Sequence, residues 1–145
     1  MKKTTVRWTD GLRFVGTDSN GQTCVLSGDD QPSGVRPSEL FLIALSACSA
    51  VDVAGILAKK RIRLESLEVI AEGDQDSEPP WTYRSIRLKF RISGSGLTVQ
   101  AAEQAVRLSE EKYCSVAATV RATANISTAV EILPAEKNRP NGPPR

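Results

Sequence analysis

The feature that most constrains the fold is an almost unbroken run of apolar and small residues at positions 40–57. Pro37 suits the first turn of a helix, and Ser38 and Glu39 place polar and acidic groups at the positive end of its dipole. A helix that is apolar on all sides must be surrounded by protein. In a chain of 145 residues, we expect a second copy to supply one wall, and we predict an intertwined, obligate homodimer.

Alternating apolar residues and turn dipeptides predict strands on both sides of this helix. The expected strands are residues 4–8, 12–16, 22–26, 64–71, 81–92 and 124–133. Thr98 is a suitable N-cap for a second helix, and residues 115–123 are expected to form a third. We predict one α+β domain over residues 1–133, with antiparallel sheets wrapped around the long buried central helix, and a disordered Pro-rich tail over residues 134–145.

Charge and hydropathy exclude several classes of protein. The chain has 19 basic and 17 acidic residues and a formal net charge of +2, so neither nucleic acid nor an anionic membrane is an expected partner. A signal peptide requires an apolar run after its positively charged start, and no such run follows the two N-terminal lysines. Residues 40–45, taken as the longest apolar stretch, are too short to span a bilayer. We therefore expect a cytoplasmic protein with no membrane partner.

Histidine is absent from the chain, which removes the Cys–His nucleophile pair, the Ser–His–Asp triad and every histidine metal site. The three cysteines are Cys24, Cys48 and Cys114, and no two of them have a C-x-x-C spacing. An odd and sparse cysteine count argues against a structural disulfide framework. We predict no cofactor and no metal site, and any functional thiol is expected to act as a reagent.

The three cysteines allow different interpretations. Cys48 lies in the apolar helix, where a free cysteine is often a small core residue. Cys114 lies where one helix ends and another begins, so it is either a partly buried boundary residue or a thiol activated at a helix N-terminus. Cys24, on a predicted strand, is expected to pack. Asp52, one turn after Cys48, is expected to pair with a cation at the helix end or to cap a neighbouring element.

Two segments carry a resemblance to a known family. The segment PSELFLIALSACSAVDVAGILAKKR, residues 37–61, is similar to the signature helix of the OsmC/Ohr family, and LSEEKYCSV, residues 108–116, resembles its second cysteine segment. The order of the predicted elements also fits, so the resemblance covers about residues 6–132. The similarity is greatest to the YhfA-like branch of this family of organic hydroperoxide resistance and osmotically inducible proteins.

The resemblance implies a peroxidase that defends the cell against oxidative stress. In that family the first cysteine attacks the peroxide and the second resolves the product, and these roles fall on Cys48 and Cys114. Organic hydroperoxides are the implied substrates, and a lipoyl-type dithiol is the implied reductant. We expect the two cysteines to meet within one subunit.

The resemblance also implies an arginine from an early strand beside the reactive thiol, held by a glutamate at the start of the signature helix. Arg13 lies within one residue of the arginine position, and Arg7 and Arg36 are the alternatives. Ser38 occupies the glutamate position, and Glu39 follows it; one step along a helix turns a side chain by about 100°. This departure favours the rival hypothesis of a non-catalytic OsmC-like protein that binds a small apolar or thiol ligand or senses redox state.

Overall fold

The computed structural model of the chain describes residues 1–28 and 33–134. Its elements, in chain order, are β1 (Thr5–Asp10), β2 (Arg13–Thr17), β3 (Thr23–Ser27), α1 (Pro37–Lys59), β4 (Arg63–Gln75), β5 (Tyr83–Ser95), α2 (Val99–Leu108), a π-helical turn (Ser109–Tyr113), α3 (Ser115–Val120) and β6 (Asn125–Ile132). The chain divides into two compact units, Met1–Ile43 and the part that begins at Ala44. An α+β architecture is confirmed.

The first unit contains an antiparallel sheet in the order β1-β2-β3. Gly11 and Gly21 lie in the two connecting turns with φ of +48° and +83°, a region that residues with a Cβ rarely adopt. The three predicted strands are confirmed to within two residues. Cys24 on β3 is exposed, so the prediction that it packs in a core is wrong for the single chain.

The second unit contains a sheet in the order β4-β5-β6. The β4–β5 pair is antiparallel, as predicted, whereas β6 runs parallel to β5. The prediction of antiparallel pairing throughout is therefore wrong for β6. The physical reason is the crossover formed by α2, the π-helical turn and α3, since only a long connection can return a chain to the same end of a sheet.

The side chains of β5 alternate between an apolar face and a charged face of this sheet. The apolar side chains, all almost completely buried, are Ile86, Leu88, Phe90 and Ile92. On the other face, Arg87 forms an ion pair with Asp74 at 2.8 Å and Arg91 pairs with Glu68 at 2.7 Å. The alternation predicted from the sequence is confirmed, because successive side chains of a strand point to opposite faces.

Within the second unit, α1 is buried along one stripe only. Its buried residues, spaced four apart, are Leu45, Ser49, Val53 and Leu57. Val51, on another side of the helix, is 72% exposed. The predicted burial on all sides is therefore not achieved by a single chain, and the remaining apolar surface is available to another molecule.

Helix α1 is 23 residues long and is apolar enough to cross a membrane by length and composition. The expectation that no segment of the chain is long enough is therefore wrong, because it counted only the uninterrupted apolar residues and not the small and polar ones between them. The core helix of a soluble protein passes the same test, so this property alone carries little weight.

The segment after β5 confirms the predicted helix start. Thr98 is the N-cap of α2, and its Oγ1 accepts a hydrogen bond from the backbone N–H of Ala101 at 3.1 Å. The π-helical turn continues α2, and Cys114 then caps α3. The single domain over residues 1–133 stays a prediction, and residues 135–145 of the predicted tail lie outside the described residues.

Candidate redox site

The structure brings Cys48 and Cys114 together in the second unit of a single chain. Cys48 lies near the middle of α1, and Cys114 lies between the π-helical turn and α3. Their sulfur atoms are within 4.8 Å of each other. The S–S bond of a disulfide is about 2.05 Å long, so the two sulfurs must move closer together before a disulfide can form.

Hydrogen bonds hold the buried sulfur of Cys114 in place. The residue is 2% exposed, and its Sγ accepts the backbone N–H of Ala117 at 3.3 Å. The hydroxyl of Ser49, which is itself completely buried, donates to the same sulfur at 3.6 Å. Cys48 on α1 is less deeply buried, so the two thiols of the pair differ in their access to solvent.

The same surroundings raise the pKa of the Cys114 thiol above its ordinary value. Burial is the largest cause, and the hydrogen bond between Cys114 and Cys48 acts in the same direction, while those from Ala117 and Ser49 oppose it. A thiol with a raised pKa stays protonated near neutrality and is a weak nucleophile. The half-exposed Cys48 is therefore better placed to react first with an external molecule.

We expect the pH midpoint for alkylation of Cys114 by iodoacetamide to lie higher in the folded protein than in the same protein unfolded in urea. Burial lowers the rate of alkylation at every pH, so the pH midpoint of the reaction, and not its rate, reports the pKa. Peptide mass spectrometry measures the fraction of Cys114 alkylated at each pH. The raised pKa also means that the contribution of this thiol to stability is present below about 8.5 and is lost as pH rises through the folded-state pKa. Equal midpoints in the two states would contradict the assignment.

Asp52 forms the third member of the same cluster. A carboxylate oxygen of Asp52 and the sulfurs of Cys48 and Cys114 all lie within 4.8 Å of one another. Asp52 Oδ2 accepts a hydrogen bond from the hydroxyl of Ser109 at 2.9 Å. Among the described residues, Asp52 has no bond to the expected cation at the helix end. It bonds instead to the π-helical turn, a neighbouring element, which was the second alternative. The sequence signal for this contact is the four-residue spacing between Cys48 and Asp52, which places the two side chains on one face of the helix.

A cleft opens beside this cluster. It has a volume of about 390 Å³ and is lined by Val51, Asp52, Gly55, Ile56, Lys59, Lys60, Leu108 and Tyr113. A cleft of this size can accept a small organic molecule. Its lining combines apolar side chains with two lysines, one of which, Lys60, donates to Gln104 at 2.6 Å. The cluster and a space for a ligand therefore share Asp52.

The other predicted site residues, Arg13 and Glu39, belong to the first unit. Arg13 is exposed on β2 and forms an ion pair with Asp10 at 3.7 Å. Glu39 is exposed in the first turn of α1. Arg7 lies on β1, and Arg36 immediately precedes the helix. A role for Arg13 and Glu39 beside the thiol stays a prediction.

Comparison with known proteins gives consistent matches over most of the chain. A family model described as OsmC-like protein matches residues 28–129. Protein YhfA of Escherichia coli strain K12 is 35% identical over 130 residues, which cover 90% of this chain and 97% of the relative. The match therefore spans the whole candidate site, including both cysteines and Asp52.

Solved structures agree with the sequence matches. The crystal structure of a hypothetical protein from Aquifex aeolicus VF5 has a TM-score of 0.78 at 31% identity, covering 92% of this chain and 98% of the other. The organic hydroperoxide resistance protein OhrB of Bacillus subtilis has a TM-score of 0.61 at 17% identity, covering 90% and 98%. At 17% identity, the likeness to OhrB concerns the fold alone.

Proposed function

Because this chain belongs to the OsmC-like family, we propose that it is a thiol-dependent peroxidase that reduces organic hydroperoxides through Cys48 and Cys114 in defence against oxidative stress. The observation that carries the proposal is the approach of two sulfurs within 4.8 Å, one half-exposed and one buried. Structural neighbours described as organic hydroperoxide resistance proteins support the choice of substrate.

The difference in burial supports the following proposal for the two roles. The Cys48 thiolate attacks the terminal oxygen of the hydroperoxide, which leaves Cys48 as a sulfenic acid and releases the alcohol after protonation. The Cys114 sulfur then attacks the Cys48 sulfur, so that a disulfide forms and the hydroxyl leaves as water. One peroxide is reduced by two electrons, and both electrons come from the thiol pair.

A dithiol completes the cycle. Attack on the disulfide by one thiolate of a lipoyl-type reductant gives a mixed disulfide, and its second thiol releases the protein in the reduced form. The more exposed Cys48 is the sulfur open to this attack, because Cys114 is buried. The cleft that shares Asp52 with the cluster offers an apolar surface for an organic substrate.

Activation of the Cys48 thiolate is the step that needs further residues. A cation beside a thiol lowers its pKa and makes it a better nucleophile. Arg13 is proposed to supply this cation and Glu39 to orient it, by likeness to the family pattern. Both are exposed in the first unit, and Arg7 and Arg36 remain the alternatives for the same role.

A second candidate function is a non-catalytic OsmC-like protein that binds a small apolar or thiol ligand or senses redox state. The observation that favours it is Asp52, whose carboxylate oxygen lies within 4.8 Å of both sulfurs. The family pattern implies a cation beside the reactive thiol, whereas an acidic side chain lies beside it here. The presence of Ser38 at the position of the family's glutamate points in the same direction.

The protein is further proposed to act as a homodimer in the cytoplasm, with no nucleic acid or membrane partner. Helix α1 is largely apolar, and its Val51 is 72% exposed, so this face needs another surface to cover it. The same face of α1 in a second copy of the chain offers a complementary apolar surface. Ser46, Ser49 and Asp52 interrupt the apolar sequence of α1, which suits a protein interface better than hydrocarbon. Light scattering in detergent-free buffer tests whether the protein is a dimer and whether it stays in solution without a membrane.

The peroxidase proposal is tested by stopped-flow consumption of cumene hydroperoxide with dihydrolipoamide as the reductant. We expect wild-type protein to consume peroxide far faster than dihydrolipoamide alone, because its thiol pair is already assembled. Mass spectrometry of the oxidised chain should find a disulfide between Cys48 and Cys114. Consumption no faster than with the free dithiol, with no such disulfide, would reject the peroxidase and favour the ligand-binding alternative.

A further inference from the structure

We propose that Cys48, Asp52 and Cys114 bind a thiophilic divalent metal ion, for which Zn²⁺ is the best chemical match. The three side chains offer two sulfurs and one carboxylate oxygen, all within 4.8 Å of one another. Thiolates select borderline-soft metals, and Zn²⁺ accepts sulfur and oxygen ligands in one tetrahedral site. This site goes beyond peroxide reduction and does not depend on it.

The geometry fits a tetrahedral site with little rearrangement. With Zn–S near 2.3 Å and Zn–O near 2.1 Å, neighbouring ligand atoms are separated by about 3.5–3.8 Å. The three atoms must therefore approach one another by about 1.3 Å at most. Cys48 and Asp52 are four residues apart on α1, so the helix presents both to the same point in space.

Hydrogen bonds orient two of the three ligands. The hydroxyl of Ser109, a completely buried residue, donates to Asp52 Oδ2 at 2.9 Å. The backbone N–H of Ala117 and the hydroxyl of Ser49 both donate to Cys114 Sγ. Such outer partners fix the orientation of metal ligands and raise affinity, so the surroundings of the cluster resemble those of a built site.

Charge supplies the driving force. With both thiols deprotonated, the two sulfurs and the carboxylate would carry three negative charges within a few ångströms. A divalent cation between them turns this repulsion into attraction and leaves a net charge of −1.

A fourth ligand to the metal would have to come from outside the three side chains. The cleft of about 390 Å³ is lined in part by Asp52, so water or an external thiolate can reach a metal held by the three side chains. A metal and a Cys48–Cys114 disulfide exclude each other, since both use the same two sulfurs. The metal would therefore protect the reduced pair until it is removed.

The test is a titration of the reduced, full-length chain with Co²⁺, followed by displacement with Zn²⁺. We expect one Co²⁺ per chain, with a near-ultraviolet thiolate-to-Co²⁺ charge-transfer band that Zn²⁺ abolishes. Cys48→Ser should eliminate the band. Asp52→Asn keeps both thiols and should weaken binding by at least about 10- to 100-fold, since the loss of a partner that only orients a ligand already costs that much. Cys24→Ser is the matched control and should bind like wild type.

Three outcomes would overturn the proposal. These are the absence of a charge-transfer band in wild type, a band that survives in Cys48→Ser, and equal affinity in Asp52→Asn and wild type. Circular dichroism of each variant establishes that it is folded. The readout contains no peroxide, so the failure of metal binding and the failure of the peroxidase proposal are separate results.

Discussion

Replacing Cys48 with serine is expected to reduce peroxide consumption to the rate of the reductant alone, a loss of at least about a thousandfold for an enzyme of ordinary power. A serine hydroxyl stays protonated at neutral pH and cannot accept the oxygen of a peroxide. The measurement is stopped-flow consumption of cumene hydroperoxide with dihydrolipoamide. Cys24→Ser removes an exposed thiol of the first unit and should keep the wild-type rate.

The resolving cysteine gives a different signature in the same assay. In Cys114→Ser, the first peroxide is still expected to react at Cys48, because Cys48 is the attacking group. Without the second thiol, the sulfenic acid persists and a second peroxide oxidises it to the sulfinic acid, so consumption stops after about two equivalents. Full turnover in Cys48→Ser, or normal turnover in Cys114→Ser with no over-oxidation, would contradict the assigned roles.

Replacing Val51 with lysine is expected to convert the proposed dimer into monomers at micromolar concentration. Val51 is 72% exposed in the single chain, and a charge placed in the proposed apolar interface would lose its hydration without gaining a partner. Light scattering coupled to gel filtration measures the mass directly. Loss of the dimer should also lower thermal stability, since association and folding are linked.

Val99→Lys is the matched control for this change. Val99 begins α2 and is 55% exposed, so it tests the same substitution away from α1. We expect this variant to keep the wild-type mass and melting temperature. A monomeric wild type, or a Val51→Lys variant that remains dimeric, would exclude the α1 face as the dimer interface. A wild-type protein that needs detergent to stay in solution would instead favour a membrane as the partner of this face.

Local patterns were sufficient to predict most of the secondary structure. The alternation around Phe90, the capping of α2 by Thr98 and the turn glycine Gly11 each depend on neighbouring residues, and each is confirmed. The parallel pairing of β6 was missed, because strand direction depends on the path of the whole crossover. The burial of α1 was overestimated, because composition shows that a helix needs cover but not which molecule supplies it.

The family, the α+β elements and the candidate pair of cysteines follow from local periodicity and from two recognisable segments of the sequence. The place of Asp52 beside Cys48 and Cys114 does not, because it depends on a long-range contact between α1 and the π-helical turn. The absence of histidine excludes a histidine metal site, but not one made of cysteine and aspartate. Ser109, whose hydroxyl holds Asp52 in position, carries no signal in the sequence, because its role arises from the contact itself.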